Sequence, residues 1–400
     1  MIPVGHRWLA AAWLVLTTAV VVAAQPSVSG FVALDVQGFL HQPIFPQQES
    51  RQMLPSLLLQ PEFTYDWRNG NDRLTVVPMA RLDSSDDRRR HVDLREFNWL
   101  HAAPTWDVLV GIGKVFWGVT ESRHLVDVIN QTDLVEDLDG EAKLGQPMLR
   151  LALAQDWGTL TFFVLPYFRQ PTYPGEKGRL RSELLVDTDN AQFESSMKEW
   201  HPDVAARWTH ALGDWDVAAG YFRGTSREPR LSLNDDESRL IPIYDQMDQA
   251  SLELQWTIEA WLWKLEAIAR WGHGEHFSAA VAGFEYTFFN LLGTAFDLGV
   301  LGEYLYDGRS AAAPGTPFEN DVFVGARLAF NDVGSTSILG GAIIDDQSGA
   351  TLVTLEASRR LGDRWTIELE VRAFLNAPST DLLYGVRKDD YVQVRLSRFF

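Results

Sequence analysis

Apolar and polar residues alternate along most of this chain. In 57–68, Leu57, Leu59, Phe63, Tyr65 and Trp67 fall on one face, and Gln60, Glu62, Thr64, Asp66 and Arg68 on the other. A side-chain period of two is that of a β-strand. Asn69-Gly70-Asn71-Asp72 follows, a tight-turn signal, after which Leu74, Val76, Ala80 and Leu82 oppose Thr75, Arg81 and Asp83. The pattern predicts about 18 strands of this kind, near 28–40, 54–68, 73–83, 91–101, 105–116, 147–156, 159–169, 202–211, 214–224, 248–258, 261–271, 276–289, 295–306, 320–330, 335–345, 350–360, 365–375 and 388–400. Many match the ~9–11 residues of a tilted membrane strand rather than the ~5–6 of a soluble one. Parity slips around Glu96 to Asn98, as at a β-bulge.

The connections alternate too. Short ones fall near 69–72, 102–104, 157–158, 212–213, 259–260, 290–294, 331–334 and 361–364. Longer ones fall at 41–53, 84–90, 117–146, 170–201, 225–247, 307–319 and 376–387, with brief members near 272–275 and 346–349. This predicts an all-β fold: a transmembrane antiparallel up-and-down β-barrel of about 16–18 strands, with short periplasmic turns and longer external loops. Tryptophan position agrees. Trp67, Trp106, Trp157, Trp215, Trp256, Trp261 and Trp365 lie near short turns, as an aromatic girdle at one membrane interface requires. Phe168, Tyr221, Trp271 and Tyr304 would mark the opposite girdle. A soluble sandwich would place its bulkiest aromatics mid-strand and leave edges to blunt.

Both chain ends fit this reading. Val392, Val394, Leu396 and Phe400 share one parity, broken by Arg398. A terminal amphipathic strand ending in Phe resembles the closing strand of Gram-negative outer-membrane β-barrels. The resemblance implies that Phe400 serves as an assembly signal for the barrel-assembly machinery. It also implies that lipid and lipopolysaccharide surround the wall. Strand 388–400 should then pair with 28–40, with Phe400 facing lipid. At the other end, His6 and Arg7 precede an apolar run from Trp8 to Val22, followed by Ala23-Ala24. This reads as a signal peptide over 1–24, cut after Ala24, with the barrel over 25–400.

Composition narrows the class further. The chain has no cysteine, so an exported form must rely on backbone pairing and packing. A net charge of −19 disfavours nucleic acid as a partner. The parity predicted to face inward carries both signs: Glu62, Glu253 and Glu285 beside Arg81, Arg207, Arg270, Arg327, Arg372 and Arg395. So many charges imply a wet lumen, because burying them dry would be prohibitive. Braces between neighbouring strands are the plainer reading of any single pair.

Loop 117–146 is the leading site candidate. It follows Gly111-Ile112-Gly113-Lys114-Val115-Phe116-Trp117-Gly118, where glycine permits close backbone approach. Leu125, Val128 and Ile129 have helical spacing, which predicts a short helix folded against the inner wall. Residues 106–133, with Trp117-Gly118 and Asp127-Val128-Ile129-Asn130, resemble a family of uncharacterised porin-like proteins of Gram-negative bacteria. The porin resemblance implies a channel narrowed by an inward loop, with Lys114, Arg123, Asp127, Asn130 and Asp133 at the constriction.

Catalytic signatures are weak. His273-Gly274-Glu275-His276 lacks the helical spacing of a zinc protease, and no Gly-x-Ser-x-Gly or phosphate-loop pattern occurs. No cofactor or metal is expected. The expected function is passive passage of small polar or charged solutes. The alternatives are an occluded structural or export-partner barrel, and a hydrolase sited at the rim.

Overall fold

The computed structural model describes residues 26–272 and 274–400. The signal peptide expected over 1–24 and His273 lie outside the described residues. The wall begins with β1 (Pro26–Phe39), β2 (Met53–Trp67), β3 (Asp72–Asp83), β4 (His91–Ala102), β5 (Trp106–Gly113), β6 (Gln146–Gln155) and β7 (Gly158–Leu165). Two short strands follow, β8 (Leu185–Val186) and β9 (Gln192–Phe193), before the wall resumes with β10 (Asp203–Leu212) and β11 (Trp215–Thr225). An outer hairpin, β12 (Arg230–Leu233) and β13 (Arg239–Tyr244), leads into β14 (Gln246–Ile258), β15 (Trp261–Trp271), β16 (Phe277–Phe288) and β17 (Asp297–Asp307). The wall ends with β18 (Asn320–Ala329), β19 (Ser337–Asp345), β20 (Thr351–Leu361), β21 (Trp365–Leu375) and β22 (Tyr391–Phe399).

Eighteen of these strands form one sheet. Each pairs antiparallel with its wall neighbour, β7 joins β10, β11 joins β14, and β1 joins β22. The sheet is therefore closed and has no edge, so every wall strand has partners on both sides. The closing register runs from Phe31 opposite Phe399 to Phe39 opposite Tyr391. Phe400 extends it by donating its backbone N–H to Gly30 O at 3.0 Å, and its ring is exposed.

Alternation sets the two faces. In β15, Trp261, Trp263 and Trp271 point outward, while Glu266, Ile268 and Arg270 are buried inside. The parity slip also appears: Val77 faces Glu96 and Pro78 faces Leu94, so Arg95 is the extra residue of a bulge. Pro78 has no N–H to donate, which is why the ladder breaks there. Arg95 and Asn98 consequently both turn inward and are buried.

The short turns and both ends of the described chain share one rim. There the indoles gather: Trp215 stacks on Trp256 at 5.1 Å and Trp261 on Trp263 at 5.5 Å, with Trp106, Trp157 and Trp365 exposed on the same rim. Trp67 stacks on Tyr65 at 5.6 Å. At the other rim, β12, β13, β8 and β9 make a small second sheet. Tyr221, Trp271 and Tyr304 are exposed as expected of that rim. Phe168 is not: β7 ends at Leu165, and Phe168 is buried against Phe193 and Tyr244. It serves the packing of the second sheet rather than a girdle.

Candidate functional site

After Gly113 the chain leaves the wall and crosses the lumen as a strap, 114–145, before re-entering at β6. Asn130 ties its two ends together. Its Oδ1 accepts from Val115 N at 2.9 Å, and its Nδ2 donates to Gly113 O and Leu144 O at 2.9 and 2.8 Å. Gly118 passes so close to the far wall that a Cβ there would stand 2.8 Å from His124 Nδ1 and 3.0 Å from Glu266 Oε1. Its φ of +147° is also one that glycine tolerates best.

Carboxylates of the far wall hold the strap by its backbone. Glu266 accepts from Val119 N, Thr120 N and Thr120 Oγ1 at 2.7, 3.0 and 2.7 Å, and from Val126 N at 3.3 Å. Glu303 accepts from Glu121 N, Ser122 N and Ser122 Oγ at 2.8, 2.8 and 2.5 Å. This explains why the helix expected around Leu125, Val128 and Ile129 does not form. The N–H groups that would begin it are already taken by wall carboxylates. The three side chains are nevertheless buried, in an apolar core inside the lumen with Trp117, Met148, Phe163, Phe222, Ile268 and Leu305.

The second half of the strap is fixed by arginines. Arg95 donates to Asp133 at 2.5 Å, Arg81 grips Glu136 with two bonds at 2.7 and 2.5 Å, and Arg372 donates to Asp139 at 2.9 Å. His91, Asp133 and Glu136 bring ligand atoms within 4.8 Å of one another. The two carboxylates are already matched by Arg95 and Arg81, so the cluster reads as an anchor rather than a metal site.

The strap divides the lumen unequally. Beside Trp117, whose ring Arg207 contacts, lies a recess lined by Arg207, Glu253, His210 and Asp216 and reached by the strap at Val119. On the β18–β22 side two cavities remain. One, of about 310 Å³, opens toward the long loops, and the other, of about 390 Å³, toward the short turns. They share Asp139, Glu141, Leu339 and Glu356, which define the waist between them.

Two strap groups have displaced proton affinities. Burial, and then the charge of Asp137, push Asp139 up to about 7. Burial works against a charge on His124, but Glu141 and Glu266, at 3.9 and 3.7 Å, outweigh it and push the imidazole up to about 9. A raised histidine pKa stabilises the fold fully below the unfolded value near 6.5 and ceases to do so as pH rises through about 9. The displacement corresponds to roughly 3 kcal/mol. Urea unfolding in lipid vesicles should therefore show a midpoint that falls between pH 6.5 and 9.5, and His124→Gln should remove most of that fall. Equal pH dependence in both proteins would refute the role.

The residues expected from the sequence divide into three groups. Arg123, Asp127, Arg372, Arg327 and Arg395 border the cavities. A second group faces inward and is held in contacts; its members Arg81, Arg270, Asn130, Asp133 and Glu253 are buried, which corrects the expectation that they meet water, whereas Arg207 and Glu285 keep part of their surface toward the lumen. Arg81 is fully buried between Asp35, Ser56 and Glu136. Arg270 is buried on Gln249, Asn130 ties the strap, and Asp133 lies under Arg95 and Thr172. Arg207 and Glu253 pair at 2.9 and 2.6 Å beside Trp117, and Glu285 stands 3.5 Å from Arg327. The third group is away from the waist: Glu62 is exposed near the short-turn rim, and Lys114 is exposed where the strap departs. Lys114 continues the outward parity of Trp106 and Val110, so it does not face the constriction. Asp137, Asp139, Glu141 and Gln393 lay outside the expected set. The acidic run from Asp133 to Glu141 was the available signal.

No protein-family model matches the chain, and no curated protein matches it. Solved structures do. A BenF-like porin from Pseudomonas fluorescens Pf-5 aligns with a TM-score of 0.54 at 8% identity, over 95% of this chain and 98% of that one. OprB from Pseudomonas putida aligns at 0.47 and 10% identity, over 94% of each chain. An engineered variant of the Rh. blastica porin aligns at 0.45 and 12% identity, over 94% of this chain and 100% of that one. The first of these likenesses, with the closed wall of 18 strands and the indole-rich rim, identifies the fold as that of a porin-like outer-membrane β-barrel.

Proposed function

We propose that this chain is a passive channel for small polar or charged solutes in the outer membrane of a Gram-negative bacterium. The observation that carries the reading is the pair of cavities meeting at Asp139, Glu141, Leu339 and Glu356 beside the strap. The polar lining of the cavity toward the short turns suits hydrated solutes, and a wall of this strand number is wide enough to leave an aqueous path. The reading needs no catalysis and no cofactor. It includes export through the segment cut after Ala24. It also includes insertion by the barrel-assembly machinery through the strand ending in Phe400, and a surround of lipid and lipopolysaccharide.

Purified protein in a planar bilayer should give discrete conductance steps in KCl. Folded protein that inserts without any steps would favour the occluded structural barrel instead.

A further inference from the structure

The passage beside the strap has two halves of unlike chemistry. The half toward the long loops carries an apolar strip on the wall: Phe323, Leu339, Ile343, Leu352 and Phe374. Phe323, Ile343 and Phe374 are buried, and Leu339 and Leu352 are partly exposed over them; the apolar area these two leave facing water forgoes about 25 cal/mol per Å² that a covering solute would recover. The half toward the short turns is lined by acceptors. Gln393 is 7% exposed, and its Nε2 donates to Glu370 Oε2 at 3.3 Å, which fixes the orientation of the amide. Its Oε1 is buried with no donor among the described residues. A buried amide oxygen without a donor is costly, and a ligand N–H would satisfy it.

Charge points the same way. The arginines of this half are already matched: Arg395 by Asp35 at 2.7 and 3.0 Å, Arg327 by Glu121 at 2.6 Å, and Arg372 by Asp139 and Glu356 at 2.9 Å each. Asp137 and Glu368 line the same cavity and make no ion pair within 4.0 Å among the described residues, although Glu368 lies across from Arg395 and the charge of Asp137 reaches Arg372. An anion placed there would meet an excess of carboxylates over arginines. A cation would neutralise them and supply the missing donor.

We infer that the passage recognises organic cations that join an ammonium or guanidinium head to an apolar body, the head at Gln393 and Glu368 and the body along the Phe323–Phe374 strip. Passage of such a solute rests on the channel reading; its recognition does not.

The test therefore has two arms. Full-length protein in detergent is titrated calorimetrically with benzylammonium chloride and with sodium benzoate, which offer the same ring with opposite charge. Benzylammonium should bind and benzoate should not. Gln393→Leu and Glu368→Gln should each weaken binding about tenfold, the loss of one charge-assisted hydrogen bond. Asp216→Asn, in the recess beside Trp117, should leave affinity unchanged. In planar bilayers, benzylammonium should be about tenfold more permeant than benzoate. Equal binding of the two ions, or unchanged affinity in both Gln393→Leu and Glu368→Gln, would overturn the inference. Protein that forms no pore but binds benzylammonium through Gln393 supports the recognition and loses the channel reading. Protein that conducts both ions equally and binds both equally keeps the channel and loses the inference.

Discussion

Replacing Glu266 and Glu303 together by alanine should release the strap and raise single-channel conductance at least about twofold, since the lumen it fills would become water. Two opposing terms decide the outcome. The apolar contacts of Leu125, Val126, Val128 and Ile129 hold the strap in place, and burying four such side chains is worth roughly 6–12 kcal/mol. Glu266 accepts from three backbone N–H groups and one hydroxyl, and Glu303 from two N–H groups and one hydroxyl. A donor left unsatisfied inside the lumen costs roughly 1–3 kcal/mol. Glu303→Ala alone orphans three donors, roughly 3–9 kcal/mol, and Glu266→Ala four, roughly 4–12 kcal/mol; neither range exceeds that of the packing, to which the contacts of Arg95, Arg81 and Arg372 with the strap add, so each single variant should be less stable but conduct like the parent. The double variant orphans enough to favour a strap that leaves the lumen and finds water. Bilayer recording on heat-modifiable, hence folded, protein decides the matter. An unchanged step size in the double variant would show that packing and the arginine contacts hold the strap without the two carboxylates.

Arg81→Ala should be the most destabilising single substitution among the inward charges, by about 3–5 kcal/mol. The guanidinium donates to Asp35 at 2.6 Å, to Ser56 at 2.7 Å and to both oxygens of Glu136. Asp35 also accepts from Arg395 across the closing pair of β1 and β22. Removing Arg81 leaves Glu136 without its main partner and Asp35 dependent on Arg395 alone, both in a buried setting. It thereby loosens the strap and the seam of the barrel at once. Arg81→Lys should recover little, because an ammonium cannot reproduce the two parallel bonds to Glu136. Arg207→Ala should cost less, since its pair with Glu253 is partly exposed to the recess and screened there. Urea midpoints in vesicles give the ranking. Arg81→Ala equal to or milder than Arg207→Ala would remove Arg81 from its place as keystone.

Much of the fold was legible in the chain. The alternation in 261–271 decides which residues face lipid because a strand offers only two sides. The turn at Asn69-Gly70, the slip near Glu96, and the parity of Val392, Val394 and Leu396 were local signals, and each marks a feature of the wall. The indoles near short turns were similarly readable, because rim position follows from strand length and turn position.

The candidate site was readable only as a location. Glycine at 118 and Asn130 pointed to an inward strap, but the helix expected at Leu125–Ile129 gave way to carboxylates far along the chain. Ser122 and Glu303, for example, are 181 residues apart. Inward parity likewise placed Arg81 and Arg372 on the same face, yet one is sealed among acids and the other borders the waist. Sequence by itself determined the closed wall, its faces and its rims, because those follow from a two-residue period and nearest-neighbour pairing. Which inward charges meet water, where the cavities lie and which buried oxygen lacks a donor were decided by tertiary structure alone. These depend on what stands opposite across the lumen, and no local period encodes that.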